Sequence, residues 1–159
     1  MRSAAVGFTM VELVLVVLII GALSVAVMPK WTATGMGLNY EARRVLNDLR
    51  YAQALSITTG QRYRWVKVSA TTYQILNEAG TAMVLPSGTT TLTMAGGVTM
   101  GSLTNLPNNL VAFDALGAPY VTSTLPGTAL AATASIPLSA GGITRTVTIT
   151  ASTGYGALS

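Results

Sequence analysis

Few side chains of this 159-residue chain are of a type that could carry out chemistry. The chain has no His and no Cys, which excludes an imidazole base, a thiolate nucleophile, a disulfide and the usual zinc ligands. After residue 60 the only carboxylates are Glu78 and Asp114, too far apart in sequence to indicate a paired acid and base. No His can activate the abundant serines and threonines, and no glycine-rich motif carries the lysine of a phosphate-binding loop. We therefore predict no enzymatic activity, no cofactor and no metal, and we expect Asp114, beside Gly117, to form a turn.

Positive charge is the other candidate for chemistry. The chain has nine Lys and Arg against five Asp and Glu, and six of the basic residues lie between residues 41 and 67: Arg43, Arg44, Arg50, Arg62, Arg64 and Lys67. These side chains could contact the phosphates of DNA or the acidic patches of a protein partner. Tyr63 and Trp65 alternate with Arg62 and Arg64, but alternate residues of a strand point to opposite faces, so one surface is not expected to present both sets. We interpret the cluster as a solvated or partner-binding basic face, with DNA binding as the alternative.

One further carboxylate, Glu12, lies in the most apolar part of the chain. Residues 13–29 are 17 consecutive residues without a charge, and the apolar segment reaches 22 residues when it is counted from Phe8. As a helix it would be roughly 33 Å long, enough to cross a bilayer core. Arg2 precedes the segment, which favours a cytoplasmic N-terminus. The sequence thus predicts a transmembrane helix within residues 8–34.

Three interpretations of this segment compete. Residues 13–23, followed by Ser24-Val25-Ala26, could form a cleaved secretory signal. A plain single-pass anchor would have to carry Glu12 into the membrane, at a cost of about 2.5–3.5 kcal/mol. In the third interpretation the chain is cut between Gly7 and Phe8, and the new α-amino group lies one helical turn from Glu12. The carboxylate then gains a cationic partner.

The third interpretation is supported by a resemblance. Gly7-Phe8-Thr9-Met10-Val11-Glu12 resembles the processing site of type IV pilins and type II secretion pseudopilins. The resemblance implies removal of residues 1–7 by a prepilin peptidase and N-methylation of Phe8. It also implies that Glu12 neutralises the N-terminal amine of a neighbouring subunit and so sets the axial register of a filament. Pro29 is expected to kink the helix, and residues 34–37 form a candidate hinge.

The rest of the chain predicts one amphipathic helix followed by strands. Apolar or small residues at 4-3-4-3-4 spacing predict a helix over residues 39–59 that ends at Gly60: Leu38, Ala42, Val45, Leu49, Ala52 and Ser56. Short segments rich in Val, Ile, Thr and Tyr predict strands at residues 62–68, 71–77, 82–85, 89–94, 110–114, 120–123 and 143–151. The predicted fold class is α+β, with the second half of a long N-terminal helix (residues 35–60) packed on an antiparallel sheet domain (residues 61–159).

Three later segments narrow the resemblance to minor pilins and pseudopilins of the GspH/FimT group, and they are also similar to minor pilins of mannose-sensitive haemagglutinin pili. These segments are Tyr51-Ala52-Gln53-Ala54-Leu55-Ser56 through Gly60-Gln61-Arg62, Phe113-Asp114-Ala115-Leu116-Gly117-Ala118-Pro119, and Thr153-Gly154-Tyr155-Gly156. The resemblance implies a subunit that helps to initiate or assemble a type IV pilus or a type II secretion pseudopilus. It would reside in the bacterial inner membrane with its globular domain in the periplasm, and then in the filament.

The same resemblance implies the partners: prepilin peptidase, other pilins or pseudopilins, the inner-membrane assembly platform, and membrane lipid before assembly. Two alternatives stay open. One is a DNA-binding minor pilin of natural transformation, although its members carry an arginine-rich element near the C-terminus, where this chain has Gly154-Tyr155-Gly156-Ala157. The other is a membrane-anchored periplasmic domain that never polymerises.

Overall fold

The computed structural model describes residues 9–26 and 30–159, so Gly7, Phe8 and Pro29 lie outside the described residues. The chain divides between Thr32 and Ala33 into two units. The first unit contains α1 (Met10–Ala26), and the second contains α2 (Lys30–Thr59) from Ala33 onward together with the strands. The strands are β1 (Tyr63–Lys67), β2 (Thr72–Leu76), β3 (Leu92–Thr93), β4 (Thr99–Met100), β5 (Leu110–Phe113), β6 (Pro119–Tyr120), β7 (Ala134–Ala140), β8 (Ile143–Ile149) and β9 (Gly156–Leu158).

Helix α1 is apolar on every side. Apart from Glu12, its sequence from Met10 to Ala26 consists of Val, Leu, Ile, Met, Gly, Ala and one Ser, and the side chains of residues 9–21 are all exposed. Within the residues that the structure describes, neither α1 nor α2 combines the length and apolarity needed to span a membrane.

Helix α2 confirms the predicted apolar stripe. All six side chains that define it, hereafter the inner stripe, are buried: Leu38, Ala42, Val45, Leu49, Ala52 and Ser56. The helix ends at Thr59, and the positive φ of Gly60 together with its N–H bond to the Ser56 carbonyl completes the C-terminal turn, as predicted. Helix α2 begins at Lys30, ahead of the amphipathic stretch predicted over residues 39–59, and continues through Gly35 and Gly37. The candidate hinge is therefore helical, because two glycines cost only about 1 kcal/mol each, less than the buried inner stripe contributes.

The strands form two antiparallel sheets. The first has the order β3-β2-β1-β5-β6, and the second has the order β4-β7-β8-β9. In the first sheet Trp65 lies opposite Ile75 of β2 and Val111 of β5. In the second sheet β8 confirms the predicted alternation, since Val147 and Ile149 are buried whereas Thr146 and Thr148 are half-buried. Side chains of both sheets join the inner stripe of α2 in one hydrophobic core, which confirms the α+β prediction.

The strand predictions differ from the structure in several places, and those for residues 89–94 and 120–123 were too long, because β3 and β6 have two residues each. Residues 82–85 form no strand, and only Ala82 bridges to Leu76. Strand β7 was missed, and it lies inside the second sheet although a proline such as Pro137 is unusual in an interior strand. The carbonyl of Pro137 accepts a hydrogen bond from Gly101 N, so the proline nitrogen faces the same side and the β7–β8 ladder loses no bond. Strands β4 and β9 were also missed, because two or three residues give no periodic pattern.

Candidate functional site

The first candidate is Glu12, which lies in the first turn of α1. Thr9 precedes the helix, and its hydroxyl accepts a hydrogen bond from Glu12 N at 3.3 Å, while Leu13 N donates to the Thr9 carbonyl at 3.1 Å. Thr9 thus caps the helix, with Glu12 at the N3 position, in the Thr-x-x-Glu spacing of a capping box. The sequence analysis missed this local role, although the Thr-x-x-Glu spacing is its signature. Glu12 itself is exposed and is the only ionisable side chain of α1.

Arg62, one of the predicted basic surface residues, is buried instead. Its guanidinium donates to the carbonyls of Thr124 at 3.0 Å and Pro126 at 3.2 Å, and it lies over the ring of Tyr120 at 4.3 Å from the centroid. These partners compensate for the loss of hydration of the cation. Arg62 therefore holds the loop at residues 124–127 and is not available to a phosphate or to a partner.

The remaining residues of β1 also serve the domain itself. Tyr63 and Trp65 are buried in the core and cannot stack on bases. Lys67 is half-buried, and its ammonium donates to the carbonyls of Met100 at 3.2 Å and Gly101 at 2.6 Å. Arg64 is half-buried beside the Ser123 carbonyl. The aromatic and basic residues of β1 thus do not form a nucleic-acid-binding face.

Arg44 belongs to a polar cluster between α2 and the first sheet, which consists of Glu41, Arg44, Asp48 and Tyr73. It pairs with Glu41 at 3.2 Å, and Glu41, only 2% exposed, also accepts a hydrogen bond from Ala95 N at 3.3 Å. One turn further along α2, Asp48 accepts a hydrogen bond from the Tyr73 hydroxyl at 2.6 Å. Burial raises the pKa of Asp48 above its ordinary value, against the opposing effects of the Tyr73 hydrogen bond and the Arg44 charge. Burial and the bond to Asp48 also raise the pKa of Tyr73.

The opposite side of α2 forms a second regular stripe. Between residues 35 and 57 the helix has seven exposed side chains at 4-3-4-3-4-3 spacing, hereafter the outer face: Met36, Tyr40, Arg43, Asn47, Arg50, Ala54 and Ile57. Two of the predicted basic residues, Arg43 and Arg50, lie on it. The guanidinium of Arg50 donates to the Gly156 carbonyl at 3.0 Å and lies 5.6 Å from the centroid of the Tyr155 ring.

Gln53 connects α2 to two loops that are far apart in sequence. Its amide nitrogen donates to the carbonyls of Gly117 and Thr153, both at 2.8 Å. Gly154 has a φ of 67°, and a Cβ there would lie 2.7 Å from the Gly117 carbonyl oxygen and 2.8 Å from Gln53 Nε2. Only glycine therefore fits at residue 154 without displacing the Gln53 bridge.

Each loop held by Gln53 presents an apolar side chain to solvent. Leu116 is 89% exposed and Tyr155 is 59% exposed, and both are next to glycines that pack around Gln53. Ile57 of α2, 52% exposed, lies against Gly117. These three residues, the apolar platform, were missed as a site. The signal for it was present, because Gln53, Leu116 and Tyr155 all lie in the segments that resemble the GspH/FimT group.

A groove of about 550 Å³ runs beside the outer face of α2. It is lined by Tyr40, Arg43, Arg44, Asn47, Asp48, Tyr51, Pro86, Ser87 and Leu92. The carboxylates of the sheet domain lie elsewhere, since Glu78 accepts a hydrogen bond from Arg62 N and Asp114 accepts bonds from Leu116 N and Ala118 N. Asp114 therefore stabilises a turn, as the sequence predicted. Among the described residues no group of three or more acidic side chains could hold a metal ion.

A family model described as type II transport protein GspH matches residues 41–154. The chain belongs to the GspH family. The matched residues include Gln53 and both residues whose carbonyls it binds, Gly117 and Thr153, and they end at Gly154. Membership of this family confirms the resemblance to the GspH/FimT group, and it confirms that the chain is a structural subunit rather than an enzyme.

The fold of this GspH-family chain is similar to that of a solved minor pilin. Two crystal structures of the type IV minor pilin FimU of Pseudomonas aeruginosa strain PAO1, in space groups P21 and P65, match with TM-scores of 0.55 and 0.53. Each is 15% identical to this chain and covers 77% of it, and the match spans 87% and 92% of the FimU chains. This similarity confirms the pilin-like α+β fold. A comparison with curated proteins yields no match.

Proposed function

We propose that this GspH-family protein is a minor subunit of a type IV pilus or of a type II secretion pseudopilus. The observation that carries the proposal is α1, whose side chains over residues 9–21 are exposed and, apart from Thr9 and Glu12, apolar or glycine. An apolar surface of this extent is unfavourable in water and must be covered by lipid or by other apolar helices. A pilin-type subunit uses both environments in turn.

The proposed sequence of events begins in the bacterial inner membrane. The apolar segment from Phe8 to Pro29 anchors the precursor, and the globular domain lies in the periplasm. Prepilin peptidase cuts between Gly7 and Phe8, the new N-terminus is methylated, and the inner-membrane platform transfers the subunit from lipid into the filament. Pro29 bends the helix so that it packs among its neighbours.

Glu12 sets the axial position of the subunit in this proposal. Inside a bundle of apolar helices a carboxylate needs a cationic partner, and the N-terminal amine of a neighbouring subunit is such a group. The amine can reach Glu12 only at one relative height of the two helices. The ion pair would therefore select a single register among many apolar packings of similar energy.

The first experiment is the intact mass and the N-terminal residue of the protein recovered from its native host. We expect a chain that begins at Phe8 and carries one additional methyl group. A chain that begins near Val27, or that retains Met1, would contradict the proposal and would indicate a signal peptide or a plain anchor.

A pair of substitutions separates the charge of Glu12 from its capping role. Glu12→Gln keeps a side chain that suits the N3 position of a capping box but removes the charge, whereas Glu12→Ala removes both. If Glu12 sets the register, both variants are processed and inserted, and both are lost from filaments by about tenfold or more. Incorporation of Glu12→Gln at the level of the unsubstituted protein would show that capping alone explains the residue.

A further inference from the structure

The proposed function gives no role to the groove of about 550 Å³ beside α2. Its volume lies within the range of about 300–1,000 Å³ that is usual for ligand sites in proteins. One wall is formed by α2 from Tyr40 to Tyr51, and the other by the segment that contains Pro86, Ser87 and Leu92. Because one wall is a straight helix, the groove suits an extended ligand.

Two tyrosines lie at the ends of the α2 wall. Tyr40 and Tyr51 are 11 residues apart, so they lie about three turns and about 16 Å apart on nearly the same side of the helix. Tyr40 is 66% exposed and Tyr51 is half-buried. A tyrosine ring combines an apolar face with a polar edge. The apolar face of a sugar ring packs well on such a surface, and two tyrosines at this separation can hold two rings of one chain.

The polar groups between the two tyrosines have hydrogen-bonding capacity that the domain does not use. The side chain of Asn47 forms no hydrogen bond within the part of the chain that the structure describes. Asp48 accepts the Tyr73 hydroxyl through Oδ2, which leaves Oδ1 available, and Arg44 uses only Nη1 for Glu41. An amide, a carboxylate and a guanidinium side by side can both donate to and accept from the neighbouring hydroxyls of a sugar.

The environment of Asp48 favours a ligand with hydroxyl groups. Burial raises the pKa of Asp48, because its carboxylate is less well solvated than one at the surface. A ligand hydroxyl that donates to Oδ1 would stabilise the carboxylate and compensate for the lost hydration. The free Oδ1 atom is thus an acceptor that gains from being occupied.

The charges around the groove favour an uncharged ligand. Arg44 is paired with Glu41, and the other two charged side chains of the groove, Arg43 and Asp48, have opposite signs. The groove and the ion pair beside it therefore carry no net charge, so a polyanion gains little electrostatic attraction there. A neutral compound rich in hydroxyl groups matches both the charge and the free hydrogen-bonding groups.

The groove lacks the two carboxyl groups of a glycosidase. Among the described residues Asp48 is the one carboxylate that lines it, and Glu41, two turns earlier on α2, is 2% exposed and paired with Arg44. Hydrolysis of a glycosidic bond uses a pair of carboxyl groups on either side of that bond. The groove can therefore hold a saccharide without cleaving it.

We infer that this groove binds a neutral, extended, β-linked oligosaccharide. Two of its rings pack on Tyr40 and Tyr51, and its hydroxyls bond to Arg44, Asn47 and Asp48. A β-linked chain of glucose units is nearly straight, like α2, whereas an α-linked chain curves away from a straight wall. The inference goes beyond the proposed function and does not depend on assembly into a filament.

The test is a calorimetric titration of the full-length protein in a detergent that has no sugar headgroup. Cellotetraose and its N-acetylated counterpart chitotetraose are the β-linked probes, and maltotetraose, the α-linked isomer of cellotetraose, is the control. We expect saturable binding of a β-linked probe with a Kd below about 1 mM, and binding of maltotetraose at least about tenfold weaker. Tighter binding of chitotetraose would indicate an N-acetylated glycan as the source, and tighter binding of cellotetraose a glycan without N-acetyl groups.

Substitutions show whether the saccharide occupies the groove. Tyr40→Ala should raise the Kd at least about tenfold, whereas Tyr40→Trp keeps an aromatic face and should bind at least as tightly as the unsubstituted protein. Asn47→Ala should raise the Kd about threefold or more, through the lost hydrogen bonds. The matched control is Tyr155→Ala, which removes an exposed tyrosine outside the groove and should leave the Kd unchanged. Tyr40 and Asn47 are exposed, so their variants should remain folded.

Three results would overturn the inference. They are the absence of saturable binding of both β-linked probes at millimolar concentration, equal binding of maltotetraose, and binding that neither Tyr40→Ala nor Asn47→Ala weakens. Salt-sensitive binding of a single-stranded oligonucleotide, lost in Tyr40→Ala and without any saccharide binding, would also overturn it and assign the groove to nucleic acid. None of these results bears on the N-terminal residue of the mature chain, so the proposed function is tested separately.

Discussion

The two sides of α2 have the same spacing and opposite surroundings. The inner stripe repeats at 4-3-4-3-4 and is buried, and the outer face repeats at 4-3-4-3-4-3 and is exposed. The inner stripe consists of Leu, Val, Ala and Ser, so both sheets can pack closely on it. The outer face has apolar side chains at both ends and two arginines near its middle, and all seven of its side chains are exposed. Periodicity therefore identifies the helix, and residue type decides which side the domain itself buries.

The largest expected effect comes from the inner stripe. Leu49→Ala removes a buried side chain from the core and should lower the free energy of unfolding by about 3 kcal/mol, through lost burial and the cavity that remains. Denaturant unfolding of the full chain in detergent measures the change. Asn47→Ala, two residues away on the outer face, is the control and should change stability by less than about 0.5 kcal/mol. Equal losses would show that the two sides do not differ as described.

A smaller loss of stability is expected at Gly154, where the loops at residues 117 and 153 pack around Gln53 of α2. Gly154→Ala forces a side chain into a positive-φ position against the Gly117 carbonyl and Gln53, and should lower stability by about 1–3 kcal/mol. Gly88→Ala, which also has a positive φ but open space around it, separates backbone strain from steric clash. Amide hydrogen exchange of residues 114–118 reports whether the Gln53 bridge opens. Unchanged exchange in the Gly154→Ala variant would contradict the bridge.

The polar cluster beside the inner stripe predicts a pH dependence. Because the folded state raises the pKa of Asp48, it favours the protonated carboxyl, so this contribution to stability is present below the ordinary value of 3.8 and is lost as the pH rises through the raised pKa. Asp48→Asn keeps an acceptor for the Tyr73 hydroxyl and should abolish that fall. The measurement is the free energy of unfolding of both proteins at pH values from about 3 to about 7. If the free energy of unfolding changes with pH in the same way in both proteins, the pH dependence does not come from Asp48.

The smallest effect is expected on the outer face. Arg43→Ala removes a side chain for which the structure gives no hydrogen bond, and should change the free energy of unfolding by less than about 0.5 kcal/mol. Arg50→Ala loses the bond to the Gly156 carbonyl and should cost about 1 kcal/mol. Both are measured by denaturant unfolding. A loss of several kcal/mol for Arg43→Ala would show that Arg43 serves the fold rather than a partner.

Predictability differs between the helices and the sheets for a physical reason. A helix is built from local contacts, so the inner stripe and the C-terminal end of α2 at Gly60 could be predicted from residues close in sequence. Strand β8 was also predicted, because seven alternating residues give a strong local pattern. Strand β7 was missed, and its Pro137 is tolerated only through the position of its partner Gly101, which no local pattern contains.

The sequence by itself determined the family, the absence of enzymatic groups, the apolar N-terminal helix and the side of α2 that faces the core. These properties depend on residue types and on spacings within a single element. Only the tertiary structure decided that Arg62 is buried under Tyr120, that Asp48 pairs with Tyr73, and that Gln53 joins Gly117 to Thr153. Each of these contacts joins elements far apart in the chain, so its geometry exists only after the sheets have packed on α2.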